Sequence, residues 1–173
     1  MKNYKNKVVF EYKINFRRQL IMLMPLTVTT LLGYAALYYY IGSDFFKLDF
    51  PLYVTTAFVL IFSIIPTLSI HINYFLKNRN SIFRFDRFKG DISYADDKIN
   101  FIYSFTDIDR LERYSSYGAS STWYTWSAYR YFKFVLKDGN EIIITSLMLD
   151  IKGDLEQLIG IKAVDEMKLL ALT

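Results

Sequence analysis

Hydrophobic and polar positions divide the chain into a continuous apolar part and an alternating part. The run from Gln19 to Gly42 contains no charged residue, and the run from Phe50 to Leu76 contains none when its histidine is neutral. A helix needs about 20 apolar residues to cross the hydrocarbon core of a bilayer, and both runs are long enough. A buried helix of a small soluble domain is shorter and shows a polar face. The pattern therefore predicts a hairpin of two transmembrane helices over residues 19–76.

The distribution of lysine and arginine predicts the orientation of this hairpin. Basic residues are concentrated between Lys2 and Arg18 and again between Lys77 and Lys89, whereas the connecting segment 43–49 carries a single lysine. The positive-inside rule then places both termini in the cytoplasm, as expected for a multi-pass membrane protein. The first run is too long for a signal peptide, and no convincing cleavage site follows it, so we expect it to be retained.

After the second apolar run the hydrophobic period changes to that of strands. Apolar and polar positions alternate over residues 82–103, with turns at 90–91 and 96–97. The segment 105–114 fits a helix as well as a strand. We predict a strand there, because turn-rich β-segments surround it.

The last third of the chain predicts a β-hairpin and then a helix. Tyr129–Leu136 and Glu141–Ser146 alternate around Asp138-Gly139, which is the strongest short-range hairpin signal in a sequence. After Gly153 the apolar spacing becomes helical up to Leu172. We therefore expect six or seven short antiparallel strands, in a sheet or barrel, followed by one helix that covers an open end or face.

This arrangement resembles the bacterial pleckstrin-homology-like (PH-like) domains, including the YcxB-like group, in which a two-helix hairpin precedes the domain. The resemblance rests on the step Phe105-Thr-Asp-Ile108, on the hairpin Lys133-Phe-Val-Leu-Lys-Asp-Gly-Asn-Glu-Ile-Ile-Ile-Thr-Ser-Leu147 and on the closing helix. It implies a basic cytoplasmic segment at 1–18, the membrane hairpin at 19–76 and a cytoplasmic PH-like domain at 77–173. The pattern of the family defines no catalytic residue, so the resemblance assigns none.

Composition excludes several kinds of chemistry. The chain has no cysteine and one histidine, which removes disulfides, thiolate nucleophiles and the usual zinc sites. That histidine, His71, lies in the second apolar run, so the cytoplasmic domain cannot assemble a Ser-His-Asp triad. The glycines are scattered and form no phosphate-binding loop. A net charge of +4 is too small to indicate nucleic acid. We expect a non-enzymatic protein without metal or cofactor.

His71 and the basic residues after the second run each allow two interpretations. A proton relay at His71 needs ionisable partners in the membrane, which the apolar runs lack, so an amphipathic residue near the inner interface is favoured. Arg84, Arg87 and Lys89 are either contacts to anionic lipid headgroups or no more than the topology signal. Both interpretations place these three residues at the face of the membrane.

An uncharged aromatic segment, residues 114–128, holds both tryptophans. Its mixture of Tyr, Trp, Ser, Thr and Gly is typical of binding loops. Tyr117, Trp123, Tyr124 and Trp126 are therefore candidate protein-binding residues. Two alternatives stay open: the tryptophans anchor the domain in the headgroup layer, or the aromatic rings pack back on the sheet.

Taken together, these features predict an inner-membrane protein whose cytoplasmic domain binds another protein at the membrane. The alternative is a membrane-bound immunity protein that neutralises a cognate bacterial toxin. The expected partners are the lipid bilayer and one protein, with no nucleic acid. Small residues in the first span also allow homo-oligomers through the hairpin; these residues are Gly33, Ala35 and Ala36.

Overall fold

The β-strands form two four-stranded sheets. The structure, a computed structural model, describes residues 9–41, 49–117, 124–149 and 154–173, and these contain eight strands. The first sheet has the order β1-β2-β3-β4, and the second has the order β7-β6-β5-β8. The strands are β1 Val9–Tyr12, β2 Ile82–Asp86, β3 Asp91–Ala95, β4 Asn100–Ser104, β5 Ile108–Ser116, β6 Arg130–Leu136, β7 Glu141–Thr145 and β8 Val164–Lys168.

The two sheets share one hydrophobic core, which follows directly from the alternation in the sequence. Phe83 and Phe85 point inward from β2, and Phe132 and Phe134 point inward from β6; all four are fully buried. The rings of Phe83 and Phe134 meet across the sheets, with their centroids 5.7 Å apart. Burying a phenylalanine side chain contributes roughly 1.5–3 kcal/mol, so the period-2 pattern fixes which face of each strand packs inward.

The helical hairpin is inserted between the first two strands. β1 pairs antiparallel with β2, with Val9 opposite Asp86 and Tyr12 opposite Phe83. The sequence pattern assigned no strand to the N-terminal segment, although Phe10 and Tyr12 alternate with charged residues there. The helices are α1 Phe16–Ile41, α2 Asp49–Val59, a π-helical turn Leu60–Ile64 and α3 Ile65–Asn78.

The prediction of two long apolar helices is confirmed. Phe16–Tyr39 and Leu52–Asn78 are long and apolar enough to cross a membrane, each with a mean hydropathy of 1.9, and in the most apolar 18 residues of each only 6% and 11% are buried. The Tyr34 hydroxyl donates to Thr56 Oγ1 at 2.9 Å and ties the two helices together. The π-helical turn ends two residues before Pro66, whose missing N–H removes one α-helical hydrogen bond at this point.

The β6–β7 hairpin is confirmed, and its turn depends on one glycine. Gly139 N donates to Leu136 O at 2.9 Å, and Leu136 N donates to Asn140 O at 3.0 Å. Gly139 has a φ of +86°, whereas no non-glycine residue in the described part of the chain has a positive φ. The turn is therefore a three-residue loop with glycine in the left-handed position, not a type I′ turn.

The segment 105–114 is largely strand, as predicted, but the C-terminal helix is wrong. β5 follows a 3₁₀ turn, Phe105–Asp107. Beyond 153 only α4 Asp154–Ile159 is helical. Gly160, at a φ of +77°, follows this helix, as glycine commonly does at a helix end. The next residues form β8, which pairs with β5 in parallel. The second sheet is therefore mixed, and the apolar positions that suggested a longer helix belong to a strand exposed along its whole length.

Candidate binding site between helix α3 and the second sheet

One face of the second helix is polar and points at the β-domain. Ser63, Thr67 and His71 follow one another at intervals of four residues, and Asn78 continues the same stripe. Residues three or four apart lie on one side of a helix. Thr67, His71 and Asn78 are all buried, as are Ile70 and Tyr74 on the same side of the helix, whereas most of its other side chains are exposed or partly exposed. The absence of charge in this run predicts a membrane span and hides the polar stripe; the four-residue spacing of the polar residues is the signal that identifies it.

Asn78 takes the place of a neighbouring strand at the edge of β7. Its side-chain Nδ2 donates to Ile143 O at 3.0 Å, and its Oδ1 accepts from Thr145 N at 3.0 Å. β7 is the outer strand of its sheet, so these two backbone groups point away from β6 toward the helix. An unpaired buried backbone group is costly, and the carboxamide satisfies both groups at once.

His71 lies in the contact between helix and domain. Its Nδ1 and the hydroxyl oxygen of Tyr129 are 2.9 Å apart and share a hydrogen bond. The two rings meet edge to face, with centroids 5.9 Å apart. Burial raises the pKa of Tyr129, so the phenol stays neutral at physiological pH. His71 is thus a buried contact residue of the β-domain rather than a side chain at the lipid interface.

Tyrosine rings fill the rest of this contact. Tyr74 on α3 meets Tyr129 and Tyr131 edge to face, with centroid distances of 5.8 and 6.1 Å. Tyr131 stacks on Tyr114 at 4.6 Å. Lys168 Nζ lies 4.5 Å from the centre of the Tyr114 ring and donates to the Tyr131 hydroxyl at 2.9 Å. Burial, together with a hydrogen bond to Glu112, raises the pKa of Tyr114 to about 12.

The end of the aromatic segment contacts the hairpin through Thr125. Its Oγ1 lies 2.6 Å from Thr67 Oγ1 and 3.2 Å from Ser63 Oγ, and the side chain is buried. Tyr124 and Trp126 flank this threonine, with ring centroids 5.0 Å apart. Tyr124 is 41% exposed, whereas Trp126 is half-buried and packs against the tyrosine cluster.

The other two aromatic candidates have different positions. Tyr117 ends up exposed just after β5, where its N–H donates to Lys168 O at 2.7 Å. Trp123 lies outside the described residues. The structure therefore places Tyr124 and Trp126 together at the hairpin and Tyr117 beside β8. Protein binding by these side chains stays a prediction.

The three basic candidates lie on the first sheet. Arg84 pairs with Glu11 across β1 and β2 at 2.8 Å. Arg87 and Lys89 lie in the turn between β2 and β3. The helices join this sheet at the other end of β2, so the turn is farther from them by the length of the strand, about 13 Å. Contact with lipid headgroups stays a prediction for these residues.

A cavity of about 370 Å³ lies where the aromatic segment meets the two helices. Its lining comes from α1, from the helix around the π-helical turn and from the aromatic segment: Thr29, Thr30, Phe58, Val59, Phe62, Ser63, Tyr124, Thr125 and Trp126. Within the described ranges, no group of three His, Asp or Glu side chains is arranged to hold a metal ion.

Two sheets around one core, with a helical hairpin docked on the outer face of the second sheet, define an α+β domain of the pleckstrin-homology type. Residues 11–156 match the PH domain family, and because this range covers most of the chain, the chain belongs to that family. The matched range contains both apolar helices and every strand from β2 to β7. No curated protein and no solved structure matches the chain.

Proposed function

We propose that this protein is a membrane-anchored PH-domain protein of the bacterial inner membrane that binds another protein at the cytoplasmic face and catalyses no reaction. PH-like domains generally bind and do not catalyse. The buried side of α3 supports the proposal, because Thr67, His71 and Asn78 bond the domain from it. Large apolar side chains are exposed on the other sides of the helix; these are Leu68, Ile72 and Leu76.

The exposed faces of the hairpin support the membrane anchor. Met24 and Leu31 on α1 are 62% and 65% exposed, and Ile61 and Ile72 on the second helix are 55% and 54% exposed. Exposed apolar surface running along two whole helices marks contact with lipid or protein. Exposed basic side chains lie at the ends of the helices nearest the sheets, and they favour a cytoplasmic domain; these are Lys13, Arg17, Lys77 and Arg79.

The protein-binding surface that we propose is the free edge of β8 and its surroundings. This strand is an edge strand of the second sheet, with β5 on one side and no strand on the other among the described residues. Met167, Leu169 and Tyr117 are 74%, 83% and 66% exposed there. This exposure is the single observation that carries the protein-binding role. An exposed strand edge pairs readily with an added strand, while neighbouring apolar side chains provide specificity.

Site-specific photo-cross-linking in intact cells tests this role. A photoreactive residue at Met167 is expected to give one discrete protein adduct in the membrane fraction. The matched control is Ile102 on β4, which is 71% exposed on the other sheet. The proposal fails if position 167 yields no adduct, or if position 102 yields the same one. Mass spectrometry of the adduct identifies the partner, and a toxin there would establish the immunity role.

A further inference from the structure

We propose that the cavity between the hairpin and the aromatic segment holds an acyl chain of a phospholipid from the cytoplasmic leaflet. The proposal rests on the membrane anchor proposed above. It concerns the space that Phe58, Phe62, Tyr124 and Trp126 enclose together with the neighbouring threonines. At about 370 Å³ the cavity is in the size range of ligand pockets.

The lining of the cavity suits an apolar chain. Thr29 Oγ1 is bonded to Pro25 O at 2.7 Å, and the hydroxyls of Ser63 and Thr125 bond each other at 3.2 Å. These hydroxyl groups are therefore engaged within the protein. Thr30 Oγ1 is a lining hydroxyl that is buried without a partner among the described residues, and the rest of the lining is largely rings and methyl groups. Polar groups that already have partners add little to the binding of a polar ligand, whereas apolar lining favours a hydrocarbon.

The depth of the cavity in the membrane identifies its surroundings. Asp49, the first residue of α2, carries a charge and belongs outside the hydrocarbon layer. At 1.5 Å per residue, Ser63 lies roughly 21 Å and Thr67 roughly 27 Å farther along the helix. The hydrocarbon core is about 30 Å thick. Thr125, which bonds both residues, is therefore a few ångströms inside the inner boundary of that core.

At this depth the neighbours of the cavity are acyl chains rather than water. Phe58 and Phe62 lie on the hydrocarbon side of Thr125, and Tyr124 and Trp126 lie in the layer where aromatic side chains concentrate in membrane proteins. Trp126 Nε1 is buried with no hydrogen-bond partner among the described residues. The acyl chains at this depth belong to the phospholipids of the surrounding leaflet, which favours a phospholipid as the source of the chain.

Fluorescence quenching in vesicles tests the proposal on the full chain. The chain has two tryptophans, so the Trp123→Phe variant leaves Trp126 as the only reporter. The variant is reconstituted into phospholipid vesicles whose acyl chains are brominated near the ester end. We expect strong quenching of Trp126. In the same background Val59→Phe, which fills the cavity, should reduce quenching at least twofold, and so should Thr30→Ile from the opposite helix.

Ile61→Phe is the matched control, because Ile61 is exposed on the same helix and does not line the cavity. It should leave quenching unchanged. Equal quenching in the filled and control variants would overturn the acyl-chain site. Weak quenching of a protein that resists extraction by alkaline carbonate would overturn the site alone. Extraction of the protein by carbonate would overturn the membrane anchor as well.

Discussion

The contact between helix and domain depends on single side chains whose hydrogen bonds have no substitute. Asn78 is fully buried and uses both ends of its carboxamide on the edge of β7. Thr67 and His71 each bond one residue of the β-domain, Thr125 and Tyr129. A buried polar group that loses its partner costs about 1–3 kcal/mol, so each of these positions is expected to be sensitive.

Replacement of Asn78 tests this expectation. Asn78→Ala leaves Ile143 O and Thr145 N unpaired, and we expect the free energy of unfolding to fall by about 2 kcal/mol or more. Asn78→Asp should cost at least as much, because a carboxylate cannot donate to Ile143 O. Denaturant titration of the full chain in mild detergent provides the measurement. Asn100→Asp, at an exposed position, should change it by less than about 0.5 kcal/mol. Equal effects at the two asparagines would refute the capping role.

Gly139 offers a second test at the residue scale. An added Cβ meets no atom within 4 Å there, but the φ of +86° is unfavourable for any other residue. Gly139→Val should therefore lower the free energy of unfolding by at least about 1 kcal/mol through backbone strain alone. Gly33→Ala in α1 is the control, since its Cβ also meets nothing and alanine favours a helix. A Gly139→Val protein as stable as the unsubstituted chain would show that the turn has another conformation.

Much of the residue pattern can be predicted from the sequence, but not which polar residues become buried. The alternation Phe83–Phe85 and Phe132–Phe134 identified core positions correctly, because period-2 burial is a local property of a strand. The burial of Thr67, His71 and Asn78 depends on a sheet from a distant part of the chain. A polar residue at the inner end of an apolar helix has the same local signature whether it faces headgroups or a protein.

At the scale of the elements, β8 is held in its sheet by hydrogen bonds along one edge and not by burial of its side chains. All five of its side chains are exposed. Arg113 on β5 binds Asp165 through two hydrogen bonds, of 2.5 and 2.8 Å. The other strands pack alternate side chains against the core, so β8 depends more than they do on this pair, on the contact of Lys168 with Tyr131 and on the backbone ladder to β5.

The Arg113 pair makes the docking of β8 sensitive to acid. Hydrogen bonding to Arg113 lowers the pKa of Asp165 below its ordinary value. A carboxyl group with a lowered folded-state pKa stabilises the fold above its unfolded pKa, about 3.9, and this contribution is lost as the pH falls through the folded value. The protection of the β8 amides from hydrogen exchange, measured relative to the intrinsic exchange rate at each pH, should therefore fall below about pH 4.

Asp165→Asn should remove most of that pH dependence and leave β8 exchanging faster at neutral pH. Asp109→Asn is the control. Asp109 is exposed on β5, and in the described part of the chain its ion-pair partner is the neighbouring Arg110, at 3.3 Å, which is not on β8. If Asp165→Asn left the acid dependence of β8 unchanged, another group would control the strand.

The elements that the sequence predicted correctly are those with local signals. The Asp138-Gly139 turn and the two apolar helices belong to this group. β1 and β8 do not: each is four or five residues long and pairs with a strand far away in sequence. Leu155 and Ile159 gave a genuine helical spacing, but Gly160 follows the first turns and the chain beyond it gains more from pairing with the free edge of β5.

At the scale of the whole molecule, the hairpin and the β-domain form one unit. The helices leave the first sheet between β1 and β2 and cover the outer face of the second sheet through Ile70 and Tyr74. A fragment beginning at Ser81 would lose β1 and expose this face, so stability measurements require the full chain. The sequence predicted a hairpin and a domain, but its patterns could not place one against the other.

Disulfide cross-linking tests the docking of α3 on the β-domain most directly. The chain contains no cysteine, so any disulfide that forms within it comes from the two cysteines that were introduced. The hydroxyl oxygens of Thr67 and Thr125 are 2.6 Å apart, close to the length of a disulfide bond, about 2.05 Å.

The double variant Thr67→Cys, Thr125→Cys, oxidised in native membranes, should therefore form an intramolecular disulfide in nearly all molecules. The control pair is Ser69→Cys with Thr125→Cys, because Ser69 is exposed and lies about 200° around the helix from Thr67. The cysteines of this pair should stay reduced, and they should react with a maleimide polymer once the membranes are dissolved in a denaturing detergent. A Thr67–Thr125 pair that remains reduced in membranes, or a Ser69 pair that cross-links equally well, would contradict the docked arrangement.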